Sequence, residues 1–309
     1  MVGLSAVKFT YLTMLAGVLA GRADLASPSR TGSTAGEAIP FGLFGMPGRK
    51  LVDPFTSAMQ QAKPETILQD LAAAKARGAR VVVTFAGAAA KFSDANGHFD
   101  YNAWKDKVDR FRPMLSQLNA YVADGTLLAF MIIDEPFAKK RWGGQIVPKA
   151  TVDQMAQYSK SLFPDLATAV RAAPSELRNY SWQYLDVAWA QYTAKKNPIA
   201  QYVPTEVAAA REEGLGLIVG LNISKGGDGS SGFGNADEPS MSGAEILRYG
   251  HALLGAPNAC AFISWDDRPN VIGRPDVAAA LKELALEAKA HPDTPCRQKG
   301  GRASEAGRP

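Results

Sequence analysis

Two carboxylates at the end of an apolar run are the residues of this chain best placed to do chemistry. The run 127–133 (LLAFMII) passes directly into Asp134, Glu135 and Pro136. Proline lacks an N–H and fixes φ, so it ends a strand ladder and sets the turn that follows. An acid held there stands at a sheet edge beside an apolar wall, and desolvation raises the pKa of a carboxyl group. A carboxyl that keeps its proton near neutral pH can serve as a general acid, as cleavage of a glycosidic bond requires. Glu135 is the candidate for that role. The competing expectation is structural: a rim carboxylate paired with Lys139, Lys140 or Arg141.

Such chemistry needs a second carboxylate. The last strand-like run ends in Ser264-Trp265-Asp266-Asp267. Asp266 or Asp267 is the candidate nucleophile or base, although either also suits a turn or a pair with Arg268. Trp265 is the candidate stacking platform, because an indole offers an apolar face and a polar edge. Asn222, Gln191 and Tyr192 close other apolar runs and, with Trp189, are candidate cleft residues. Trp142, in the loop after Glu135, is a candidate lid. Asp228, Asp237 and Glu238 are spare acids on a glycine-rich loop.

Other chemistries find no support. Gly227 to Gly232 formally matches GxGxxG, but no helix opens at the last glycine, as a phosphate-binding turn requires. No serine-nucleophile elbow follows a strand. Two cysteines and three histidines give no zinc spacing. Divalent-metal binding by Asp134, Glu135 and Asp266 is a weaker alternative. No cofactor and no metal are expected.

The elements that must carry these residues alternate. Apolar runs at 40–46, 80–86, 127–133, 167–172, 185–192, 217–223 and 259–265 suit strands buried on both faces of a parallel sheet. Between them lie helical patterns. Pro64 and Pro275 mark helix starts, Thr151 with Gln154 and Ser242 with Glu245 read as capping boxes, and Pro113 predicts a kink. Helix-to-strand links are short and marked by Gly78, Gly125, Gly214 and Gly255. Strand-to-helix links (47–63, 87–100, 134–150, 193–203, 224–240 and 266–274) are long. The long loops therefore gather at the C-terminal strand ends, where parallel α/β folds bind ligands. The even repetition predicts an α/β chain of the (β/α)8 TIM-barrel type, with an open doubly wound sheet as the alternative. Seven strands are visible. The eighth is expected within 51–58 or as an irregular piece around 174–182.

At 309 residues, 46% hydrophobic and 21% charged, the chain can bury a single large core. Its 34 basic and 30 acidic residues form no basic stripe, so nucleic acid is not an expected partner. No run is long enough to span a membrane, and no feature specifies an oligomer. Lys8, the apolar stretch 9–20 and the small residues after it predict an export signal over 1–26. A polar linker (27–38), one barrel domain (39–296) and a disordered tail (297–309) are expected to follow. In an exported protein, Cys260 and Cys296 either pair or remain free thiols.

With Asp-Glu-Pro after a central strand and this alternation, the chain resembles the (β/α)8-barrel glycoside hydrolases. The resemblance covers the barrel plan and that one motif. It implies an acid/base role for Glu135, a sugar-hydroxyl contact for Asp134 and a carbohydrate substrate. The chain departs from the pattern at its last strand, where aspartates stand in place of a glutamate nucleophile. The resulting expectation is an exported glycosidase, with a non-catalytic carbohydrate-binding barrel as the alternative.

Overall fold

The computed structural model describes residues 38–297. The expected signal segment, all but the last residue of the linker, and nearly all of the expected tail lie outside these residues.

Eight parallel strands close into a barrel in chain order: β1 (Phe41–Phe44), β2 (Ser57–Gln61), β3 (Arg80–Thr84), β4 (Leu127–Asp134), β5 (Ala167–Arg171), β6 (Val187–Tyr192), β7 (Gly216–Leu221) and β8 (Ala259–Ser264). Closure is made by β1 against β8, where Phe41, Gly42 and Leu43 pair with Phe262, Ile263 and Ser264. The fold is the predicted (β/α)8 barrel, and the open-sheet alternative falls.

The strand that the apolar pattern did not reveal is β2. It overlaps the expected 51–58 window only at Ser57 and Ala58. Its sequence, SAMQQ, is too polar to stand out. Gln60 is nonetheless buried, with a partner at each amide atom: Oε1 accepts from the Gly48 N–H (2.7 Å) and Nε2 donates to Asp70 (2.9 Å). The other candidate region holds a short helix, Pro174–Leu177.

Alternate residues of each strand face two different cores. One apolar cluster fills the barrel interior with Met59, Val82, Met131, Val187, Trp189 and Ile263 among others. A larger one joins the outer strand faces to the helices. Helix signals are met unevenly. Ser242 and Glu245 form the reciprocal capping box of helix Gly243–Leu254. Thr151 does not cap its helix, which begins earlier, at Lys149 after Pro148. The pattern around Pro113 is broken rather than kinked: helix Tyr101–Asp109 ends, a 3-10 turn carries Pro113, and helix Leu115–Ala123 follows. Gly78 and Gly214 take the positive φ of a helix C-terminus (65° and 62°), whereas Gly255 stays right-handed at −69°.

Cys260 and Cys296 are joined by a disulfide. It pins the C-terminal segment across the strand-start end of the barrel. There a Cβ on Gly216 would come within 2.2 Å of the Cys296 carbonyl oxygen, so only glycine permits this approach. No helix among the described residues is long and apolar enough to cross a membrane.

Candidate functional site

The C-terminal strand ends open into a cleft of about 790 Å3. Its floor is organised around Glu135, the residue after β4. Glu135 has φ of 48°, a left-handed conformation that costs a non-glycine residue roughly 1–2 kcal/mol. The surrounding backbone holds it there. Its N–H donates to the Arg171 carbonyl (3.0 Å), and its own carbonyl accepts from Trp142 Nε1 (2.9 Å). The β4 ladder thus ends with the Glu135 side chain turned into the mouth.

Two arginines meet that side chain. Arg141 donates to Glu135 Oε2 from Nη2 (2.7 Å) and Nε (3.0 Å), and Arg171 Nη2 lies 3.3 Å from Oε1. The same guanidinium groups hold Asp134: Arg141 at 3.0 Å from Oδ2, and Arg171 through Nε to Oδ1. Burial pushes the Glu135 pKa up, but the charges of Arg171 and Arg141 outweigh it and hold the carboxyl below the ordinary glutamate value. Arg171, the last residue of β5, is buried. Burial disfavours its charge, yet Asp134 and Glu135 more than compensate and its pKa is raised. It donates to Gln191 Oε1 (2.8 Å), and its guanidinium lies 5.6 Å from the ring centre of Trp189 and 5.4 Å from that of Trp265.

The wall of the cleft is predominantly cationic. Lys140, Arg141, Arg171, Lys195, Lys225 and Arg268 line it, against Glu135, Asp237 and Glu238. Asn222 and Trp265 are also on the wall. Asn222 Oδ1 accepts from the Lys225 N–H (3.1 Å), which shapes the loop after β7. Trp265 is half-buried. Phe44 stacks on it with ring centres 4.3 Å apart, so part of its surface is already covered.

Of the two second-carboxylate candidates, Asp266 is engaged in an ion pair and Asp267 is half-buried. Asp266 Oδ2 accepts from Arg268 Nε (2.9 Å), while its buried Oδ1 has no partner among the described residues. Asp267 sits against Gly45, where an added Cβ would meet its Oδ1 at 2.3 Å. Burial, then the neighbouring Asp266 charge, raise the Asp267 pKa.

Four expected cleft residues are placed elsewhere. Trp142 is no exposed lid: it is buried against Phe92 and Phe99, where it braces the Glu135 carbonyl. Trp189 faces the closed barrel interior and donates to the Ile263 carbonyl (3.2 Å). Tyr192 is buried between Tyr202 and Tyr249 in the outer layer. Gln191 is buried and positions Arg171; its Nε2 has no partner among the described residues. The metal alternative meets the same obstacle as the proton donor, since guanidinium groups occupy the Asp134 and Glu135 oxygens. No cluster suited to a metal ion occurs among the described residues.

Sequence reasoning missed Arg171. Its signal was a lone charge closing an otherwise apolar strand, ATAVR. It also passed over Lys195 and Lys225, whose importance appears only when separate loops meet at one rim.

The chain matches no family model, and no curated protein is similar to it. Solved structures are similar in fold. A β-glucanase from Saccharophagus degradans superposes with a TM-score of 0.54 at 12% identity, over 76% of this chain and 79% of that one. A GH113 β-1,4-mannanase gives 0.53 at 11% identity, over 81% of this chain and 99% of that one. The barrel is thus of the architecture found in these glycoside hydrolases.

Proposed function

We propose that this chain is an exported saccharide-binding barrel of the glycosidase type, in which Glu135 acts as a fixed anion rather than as a proton donor. One observation carries the reading: each Glu135 oxygen meets a guanidinium, which keeps the carboxyl ionised. A general acid must hold its proton near the working pH. Asp266, the candidate partner acid after β8, is paired with Arg268. Saccharide as the ligand class is supported by Asp134-Glu135-Pro136 at the end of β4, by the half-buried Trp265 on the cleft wall, and by neighbours named for β-glucan and β-1,4-mannan. Export is supported by the apolar N-terminal stretch and by the Cys260–Cys296 bridge, which suits an oxidising compartment.

Hydrolysis is the second reading, favoured by opposite displacements of two carboxyls. The Glu135 pKa is lowered and that of Asp267 is raised. Carboxyls pushed apart in this way are candidates for base and acid roles; Asp267 itself lies against Gly45 and is not among the residues lining the cleft. The assignment would make Asp267 the proton donor and Glu135 the base or nucleophile.

Glycan binding and reducing-end release, measured on the parent and on Glu135→Gln, Asp267→Asn and Trp265→Ala, separate the two. Saturable binding without product, weakened by Trp265→Ala, supports the first reading. Product that disappears in both carboxyl variants replaces it with the second. Absence of both binding and product across neutral and acidic glycans refutes both readings.

A further inference from the structure

We infer that the cleft takes a saccharide bearing negative charge, a uronate or a sulfated sugar, with its anionic groups held by Lys140, Lys195, Lys225 and Arg268. The inference rests on the saccharide-binding reading and narrows it.

The remaining two cations of the cleft, Arg141 and Arg171, are committed to Asp134 and Glu135. The four named here are held differently. Lys140 has no ion pair among the described residues and influences Glu135 and Glu238 only through space. Lys195 donates to the main-chain carbonyl of Asp237, which satisfies a hydrogen bond without neutralising a charge. Lys225 meets Glu238 (2.6 Å) and Arg268 meets Asp266 (2.9 Å), but both cations stay open to water, with side chains 38% and 42% exposed. The Lys225–Glu238 pair is exposed on both sides and is worth little; Asp266 is buried, so Arg268 keeps that contact through Nε and meets a ligand with its Nη groups. Even with Asp134 and Asp266 counted behind the wall, six cations face five acids here.

The placement of these residues strengthens the case. Lys140 follows β4, Lys195 follows β6, Lys225 follows β7 and Arg268 follows β8. Four strand ends each contribute a cation to one rim, with Trp265 and Asn222 between them. The whole chain is nearly balanced, at 34 basic to 30 acidic residues, so the rim does not reflect overall composition. A concave site lined mostly by one sign concentrates oppositely charged ligands, and a neutral sugar gains no such steering from it.

The test is calorimetric titration of the full chain at low salt with an oligogalacturonate, the same oligosaccharide with its carboxyls reduced, a sulfated neutral oligosaccharide, and a single-stranded oligonucleotide of matched charge. A charged sugar is expected to bind at least about tenfold more tightly than its neutral counterpart. Most of that advantage should vanish in roughly 0.5 M NaCl, where screening is strong. Lys140→Gln combined with Lys195→Gln should weaken the charged sugar by about fivefold and the neutral one by less than about twofold. A preference for carboxylate or for sulfate supports the inference and identifies the group. Equal affinity for the neutral sugar overturns it while leaving saccharide binding intact. An oligonucleotide bound as tightly as the charged sugars also overturns it, reducing the rim to a general polyanion surface. Failure of every sugar to bind refutes the underlying reading as well. Should the double variant not fold, the neutral-to-charged ratio and the salt response of the parent decide alone.

Discussion

The two ends of the barrel use the same ingredients to opposite effect. At the strand-start end, each charge named here has a partner, and the C-terminal segment lies across the strand starts. Arg80 pairs with Asp293 (3.0 Å), Lys160 with Asp186, and Arg297 donates to the Pro164 carbonyl (2.6 Å), while the disulfide ties the covering segment to β8. At the strand-finish end, cations from five strand ends converge on one cleft, two of them joined to Asp134 and Glu135 and the rest open to water. Ion pairs hold the structure together at one end. At the other, two cations are paired with Asp134 and Glu135 and four remain open to water.

The strongest way to break this contrast is to remove the mouth's buried keystone. Arg171→Met removes the buried one of the two arginines shared by Asp134 and Glu135 and should cost about 3–5 kcal/mol of stability, read by denaturant unfolding. A loss under about 1 kcal/mol would show that Arg141 and water suffice. Replacing both Cys260 and Cys296 with serine should cost about 2–4 kcal/mol by freeing the unfolded chain. Ligand affinity well below the unfolding temperature should not change; if it falls with stability, the two ends are coupled and the contrast fails.

Acid sharpens the comparison further. The Glu135 pKa is lowered in the folded state, so its contribution to stability is complete above the unfolded value of about 4.3 and is lost as pH falls through the lower folded value. The stability difference between the parent and Glu135→Gln should therefore be constant near neutrality and shrink in that acid window. Arg141→Gln should raise the Glu135 titration midpoint, measured by NMR; an unmoved midpoint would assign the effect to Arg171 and Lys140. The smallest effect is expected from Lys225→Gln. Its exposed pair with Glu238 should be worth about 0–1 kcal/mol, so thermal unfolding should barely shift.

The barrel was legible because runs such as VVVTF and LLAFMII announce strands buried on both faces, and because long loops fell consistently after them. β2 was not, since Gln60 is buried through hydrogen bonds that a hydrophobicity pattern does not register. At the site, Glu135 was found from its strand-end position, and pairing with Arg141 stood among the alternatives. The decisive partner, Arg171, lies 37 residues from Asp134, and only the closed sheet brings them together. Aromatic residues misled in one direction. Trp189, Tyr192 and Trp142 have types suited to a sugar cleft, but type does not say which side of a strand or loop a ring takes. All three are buried as packing.

The covered end also has a practical side. Cys296 and Arg297 lie at the strand starts, on the opposite face from the cleft. A sensor surface attached through that end would hold every molecule with its cleft facing the sample. Immobilisation through random lysines would instead attach some molecules by the rim, because Lys140, Lys195 and Lys225 stand there.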